Sequence, residues 1–173
     1  VAGVDRERAR QLDQLQYLSS ATVNLVYPLD TLGHETAAFG FVVPQVERRD
    51  ILACTYSHRK YTGRCAPGLA ILRAYVGGQL RADLLDLSDE EIAERCHREL
   101  SNMLHIQGRP KHVLVQRWPQ AMALYQVGHL QRIDAIERQA RQHPRLALLG
   151  NGYRGVGISD LVGAARARMR NFF

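Results

Sequence analysis

Lysine is almost missing from this chain: Lys60 and Lys111 are the only lysines among 23 cationic side chains, and the rest are arginine. No basic block with interleaved aromatics exists; the arginines are scattered, and Arg166, Arg168 and Arg170 are the nearest thing to a basic tail. The net charge of +6 and the isoelectric point near 9.6 put nucleic acid and anionic membrane surfaces among the partners to weigh. The scattering points away from nucleic acid. It fits solvated helix faces, with peripheral contact to an acidic bilayer or to a polycarboxylate ligand left open.

Cysteine is equally sparse. Cys54, Cys65 and Cys96 are odd in number and widely spaced, and no C-x-x-C occurs, so neither a disulfide framework nor a zinc site is expected. A reducing, cytoplasmic compartment follows. The histidines offer no H-E-x-x-H and no pair at ligand spacing beside a carboxylate, so no metal is expected. His129 reads as a cap or surface residue. No run approaches the ~18 apolar residues of a membrane span, and no secretory signal opens the chain. No nucleophile triad and no acid–base pair is visible, so no residue is assigned as catalytic. The chain starts at Val1 in a charged helical pattern, which suggests part of a longer protein.

What is present is an α+β pattern. With 46% hydrophobic residues, the chain can bury a sizeable core. A charged helix is expected from Asp5 to about Leu15, with Val4, Leu12 and Leu15 as its apolar stripe. Strands are expected at Ser20 to Tyr27, Phe39 to Val43, Ile51 to Tyr56 and Leu69 to Val76. Pro28, Pro44 and Gly77-Gly78 act as stops, and Glu47 to Asp50 as a turn. These suggest an antiparallel or mixed sheet. Ser88 and Glu91 form a capping box ahead of a helix to His105, with Ile92, Cys96, Leu100, Met103 and Leu104 on one face. A strand from Lys111 to Trp118 is closed by Pro119. A second helix from Gly128 to about His143 turns Leu130, Ile133, Ile136 and Ala140 inward.

The last segment carries the most chemistry. Leu146 to Leu149 reads as a strand running into Gly150-Asn151-Gly152-Tyr153-Arg154-Gly155-Val156-Gly157-Ile158, and Ser159-Asp160 open a helix to about Met169. Glycines 150, 152 and 155 satisfy G-x-G-x-x-G, which lets backbone N–H groups approach a phosphate at a helix start. The dinucleotide fingerprint, however, belongs to a first βα turn with an acidic residue ~20 positions later in a second strand. No such strand fits here. The loop is therefore read as a late clasp on a cofactor held elsewhere, with an ordinary strand-to-helix turn as the alternative.

Six stretches in order resemble a known family. They are Phe39-Gly40-Phe41-Val42-Val43-Pro44, Leu52-Ala53-Cys54-Thr55-Tyr56-Ser57, Leu72 to Gly78, Arg117-Trp118-Pro119, Tyr125 to Leu130, and the glycine loop. Together they are similar to the C-terminal portion of the protoporphyrinogen oxidases, flavin-dependent haem-biosynthesis enzymes related to the amine oxidases. Coproporphyrinogen III oxidases are closely similar. The resemblance runs from about Leu15 to Leu161. It implies FAD as cofactor, a porphyrinogen and molecular oxygen as reactants, and a possible peripheral membrane contact. It also implies that residues 1–145 belong to a substrate-binding domain, while residues 146–173 complete a Rossmann-like FAD domain whose N-terminal part lies outside this sequence.

By the same resemblance, Trp118, Val156, Gly157 and Ile158 match cofactor-contacting positions, with an aromatic core anchor beside Pro119 as an equal reading of Trp118. Phe39, Val42 and Tyr75 match positions lining a flat tetrapyrrole pocket, although plain sheet core is an equal reading of these three. Another flavin amine oxidase acting on a different substrate is the alternative function. The sequence departs from the family pattern at Met122-Ala123-Leu124-Tyr125, where Met-Pro-Gln-Tyr is common. It departs again at Ser159, where proline often starts the helix, and at His58 and Cys65.

Overall fold

The computed structural model describes residues 6–33, 37–143 and 146–170. Residues 19–121 form one compact unit, and residues 1–18 with 122–173 form another. Each is described by itself.

The first unit is built on a five-stranded sheet of order β2-β3-β4-β1-β5. Its strands are β1 (Tyr17–Pro28), β2 (Gly40–Val42), β3 (Ala53–Tyr56), β4 (Leu69–Gly77) and β5 (His112–Ala123). The pairs β2–β3, β3–β4 and β4–β1 are antiparallel. Beside β1, the Lys111 N–H donates to the Val26 carbonyl and the Gln120 N–H to the Ser19 hydroxyl, so β5 runs antiparallel as well. The sheet is antiparallel throughout, one of the two expected arrangements.

Strict alternation in β1 and β4 gives the sheet two faces. Ala21, Val23, Leu25 and Tyr27 of β1 and Ala70, Leu72, Ala74 and Val76 of β4 are buried on one of them. Helix α3 (Asp89–Leu104) supplies Ile92, Cys96, Leu100 and Leu104 to the same core, with Met103 partly buried against it. Ser88 caps this helix as expected: its hydroxyl accepts from the Glu91 N–H at 3.2 Å, and the Glu91 carboxylate accepts from the Ser88 N–H at 2.9 Å. A short helix α2 (Ser57–Lys60) follows β3.

β5 corrects the sequence reading, which ended that strand at Pro119. The strand continues to Ala123 because β5 is an edge, where a proline needs no ladder partner for its missing N–H. Gln120 follows in the left-handed region at φ 46°, its N–H diverted to the Ser19 hydroxyl at 3.0 Å.

The second unit holds α1 (Arg6–Asp13), α4 (His129–Ala140) and α5 (Ile158–Met169). Val4 lies outside the described residues, and Leu12 and Leu15 are half-buried. In α4 the inward face is His129, Ile133, Ile136, Glu137 and Ala140, while Leu130 is 54% exposed. The helical period fits either register, and His129 takes the inward place expected of Leu130. Residues 146–149 are not a strand: they form irregular chain without a ladder partner among the described residues. The expected strand–loop–helix is therefore a loop followed by a helix.

Candidate functional site

The face of the sheet opposite α3 gathers several of the expected site residues. In an antiparallel pair, partnered residues point to the same side. Val42 partners Ala53, Ala53 partners Tyr75, and Tyr75 partners Thr22. The Trp118 indole N–H then donates to the Thr22 hydroxyl at 3.3 Å. A row across four strands thus carries Val42 and Tyr75 on the side that α3 leaves uncovered, and the Trp118 side chain of the adjoining β5 reaches its end at Thr22. At ~4.8 Å per strand the four paired positions span roughly 14 Å. Val42 and Trp118 are exposed, whereas Tyr75 is half-buried with its hydroxyl accepting from Thr55 at 3.4 Å. Phe39 is not in this row. It precedes β2, is 62% exposed, and its carbonyl accepts the Tyr56 N–H.

The adjacent row runs Gly40, Thr55, Arg73 and Asn24. Gly40 is required there: at φ 152°, an added Cβ would lie 2.2 Å from the Cys54 carbonyl oxygen. Arg73 and Asn24 were missed by sequence reasoning. The signal was present, since Arg73 is the one charge in the apolar run Leu69–Gly77, at an alternating position.

The glycine loop belongs to the second unit and is held by side chains from α4 and the segment before it. The Tyr125 hydroxyl donates to the Asn151 carbonyl at 2.7 Å. His129 stacks on Tyr125 at 4.0 Å between ring centroids, and its Nε2 lies 2.9 Å from the Tyr153 carbonyl, which assigns the proton to Nε2. His129 is therefore buried against the loop and is not a surface residue. Arg154 reaches Asp134 and Glu137, and Arg168 of α5 meets the same Glu137 at 2.6 Å. Burial alone would raise the Glu137 pKa, but the hydrogen bonds from Arg154 and Arg168 outweigh it and hold the carboxyl below its usual range.

Gly157 is the N-cap of α5 and has no side-chain cap bond, so first-turn N–H groups are left for another acceptor. Val156 and Ile158 beside it are 64% and 82% exposed. A Cβ on Gly157 would come within 2.9 Å of an Asp160 carboxylate oxygen, and one on Gly152 within 2.0 Å of the Tyr17 hydroxyl. This helix start has no side-chain cap and could receive the edge of a flavin, with the Asp160 carboxylate of the first turn beside it. A cavity of about 420 Å³ behind the loop is lined by Leu148, Tyr153 and Ala164 among others, and it does not include Val156, Gly157 or Ile158. Among the described residues no cluster could hold a metal ion, and no helix is long and apolar enough to cross a membrane.

Residues 2–166 match the model of the flavin-containing amine oxidoreductases, and the chain belongs to that family of oxidoreductases. The coproporphyrinogen III oxidase of Bacillus subtilis is 33% identical over 157 residues, which are 90% of this chain and 33% of the relative. The chloroplastic protoporphyrinogen oxidase 1 of Spinacia oleracea is 29% identical over 167 residues, 91% of this chain and 30% of the relative. Among solved structures, a protein from Exiguobacterium sp. 255-15 assigned as a protoporphyrinogen oxidase superposes with a TM-score of 0.78 at 32% identity, covering 93% of this chain and 36% of that one. The chain thus spans about a third of the length of the relatives it matches.

Proposed function

We propose that this chain is the C-terminal portion of an FAD-dependent porphyrinogen oxidase that converts protoporphyrinogen IX to protoporphyrin IX in haem biosynthesis. Residues 1–145 supply part of the substrate-binding domain, and residues 146–173 complete the FAD domain. Bound FAD would accept hydride from the substrate, with molecular oxygen restoring the cofactor. The chain's own residues bind, orient and exclude water.

The observation that carries this reading is the row that joins Val42 and Tyr75 on the uncovered sheet face, with Trp118 reaching its end at Thr22. A flat macrocycle with apolar faces fits such a wall. Val42 and Tyr75 form the wall, with Phe39 at its margin, and Trp118 is assigned to the cofactor. Val156, Gly157 and Ile158 present the α5 N-terminus to the isoalloxazine, where N–H groups stabilise developing negative charge. Coproporphyrinogen III oxidation is the second reading. It is favoured by the relatives from B. subtilis and Staphylococcus aureus, both 33% identical and both named for that reaction. A peripheral contact with an anionic membrane face in the cytoplasm remains part of the proposal.

The test is oxidation of both porphyrinogens by the full-length protein, followed by porphyrin fluorescence. An FAD-loaded preparation that leaves both substrates unoxidised overturns the reading. Gly157→Leu is expected to purify with less FAD than the parent; an unchanged flavin-to-protein absorbance ratio would refute the clasp.

A further inference from the structure

The open sheet face carries one charge on β4. Arg73 lies on β4, the middle strand of the five, opposite Asn24 on one side and Thr55 on the other. Several other guanidinium groups meet carboxylates: Arg49 meets Glu99 at 3.0 Å, Arg109 meets Glu94 at 2.8 Å and Arg117 meets Asp89 at 2.8 Å. Arg73 instead donates from Nε to the Asn24 side-chain oxygen at 2.8 Å, and no carboxylate pairs with it among the described residues. An amide orients a guanidinium without neutralising it, and a half-buried cation without a counter-ion is costly. With Nε committed to Asn24, the Nη1 and Nη2 fork remains, a geometry that matches a carboxylate with two parallel hydrogen bonds. Tyr75 is two residues along the same strand and the same face, roughly 7 Å away.

We propose that Arg73, held by Asn24, anchors a rim carboxylate of the porphyrinogen whose face lies against Tyr75 and Val42. This rests on the function proposed above and adds its polar determinant. Coproporphyrinogen III carries a propionate on every pyrrole, and protoporphyrinogen IX on only half of them. A cation in the middle of the pocket wall therefore also bears on which of the two is preferred.

The experiment uses the full-length flavoprotein and compares porphyrinogen carboxylic acids with their methyl esters, which keep the macrocycle but lose the charge. In Arg73→Gln, the preference for acid over ester in kcat/KM is expected to fall about tenfold to a hundredfold, the range of a charge-assisted hydrogen bond. Arg73→Lys keeps a charge but not the fork, and is expected to lose part of that preference; it carries the test if the glutamine variant does not fold. An acid-to-ester ratio unchanged in the variants overturns the anchor alone. A wild-type, FAD-loaded protein inactive on every porphyrinogen overturns the function and the anchor together.

Discussion

The Tyr27 hydroxyl of β1 and Nδ1 of His97 in α3 meet at 2.9 Å inside the core, joining sheet and helix by a polar contact among apolar side chains. Burial first, and the charge of Arg109 second, hold His97 below the ordinary histidine range, while burial pushes the Tyr27 phenol up. Both stay neutral. Tyr27→Phe is expected to cost about 1 kcal/mol, read from the urea midpoint at neutral pH.

The same pair sets a pH dependence. His97 binds its proton less readily folded than unfolded, so stability is full above the unfolded value near 6.5 and falls as pH drops below it. The fall levels off at the lowered folded value. Denaturation midpoints between pH 7.5 and pH 5, roughly one unit either side of the ordinary histidine value, should show this loss. It should shrink in a variant where His97 is replaced by Gln.

The thiols of Cys54 and Cys96 are both pushed up to about 12 by burial, whereas Cys65 is half-buried. Thiolate is the reactive form. Iodoacetamide at mildly alkaline pH is therefore expected to label Cys65 in the native protein, and Cys54 and Cys96 only after denaturation. Peptide mass spectrometry distinguishes the sites.

Gly40→Ala meets backbone, not a movable side-chain end, because the new Cβ would press on the Cys54 carbonyl. The cost is expected to be about 2 kcal/mol or more, with the β2–β3 amides losing hydrogen-exchange protection first.

Glu137→Gln removes the carboxylate shared by Arg154 and Arg168. Because the folded pKa is lowered, its contribution is present above the unfolded value near 4.5 and disappears as pH falls through the folded one. A loss of about 2 kcal/mol is expected at neutral pH, converging with the parent in acid.

Local signals in the sequence sufficed for α3, whose cap and apolar face lie within a few residues of each other. They also sufficed for the alternating strands β1 and β4. Failures arose where a distant partner decides. Leu146 to Leu149 has strand composition but no ladder to join. Leu130 and His129 compete for one inward position, settled by the Tyr125 ring. Pro119 reads as a stop unless the strand is known to be an edge. The expected site residues were named one by one, but the common row of Val42 and Tyr75 depends on inter-strand register, which no single segment encodes. Arg73 acquires meaning only once Asn24 is known to face it.

The break at Pro119 and Gln120 has a further effect. β5 forms the outer margin of the sheet over 12 residues, long enough to template another chain. One missing amide hydrogen, followed by a left-handed residue whose own amide is turned inward, interrupts that margin. A foreign strand annealing from either end meets a gap before completing a ladder, which guards the sheet against intermolecular zippering.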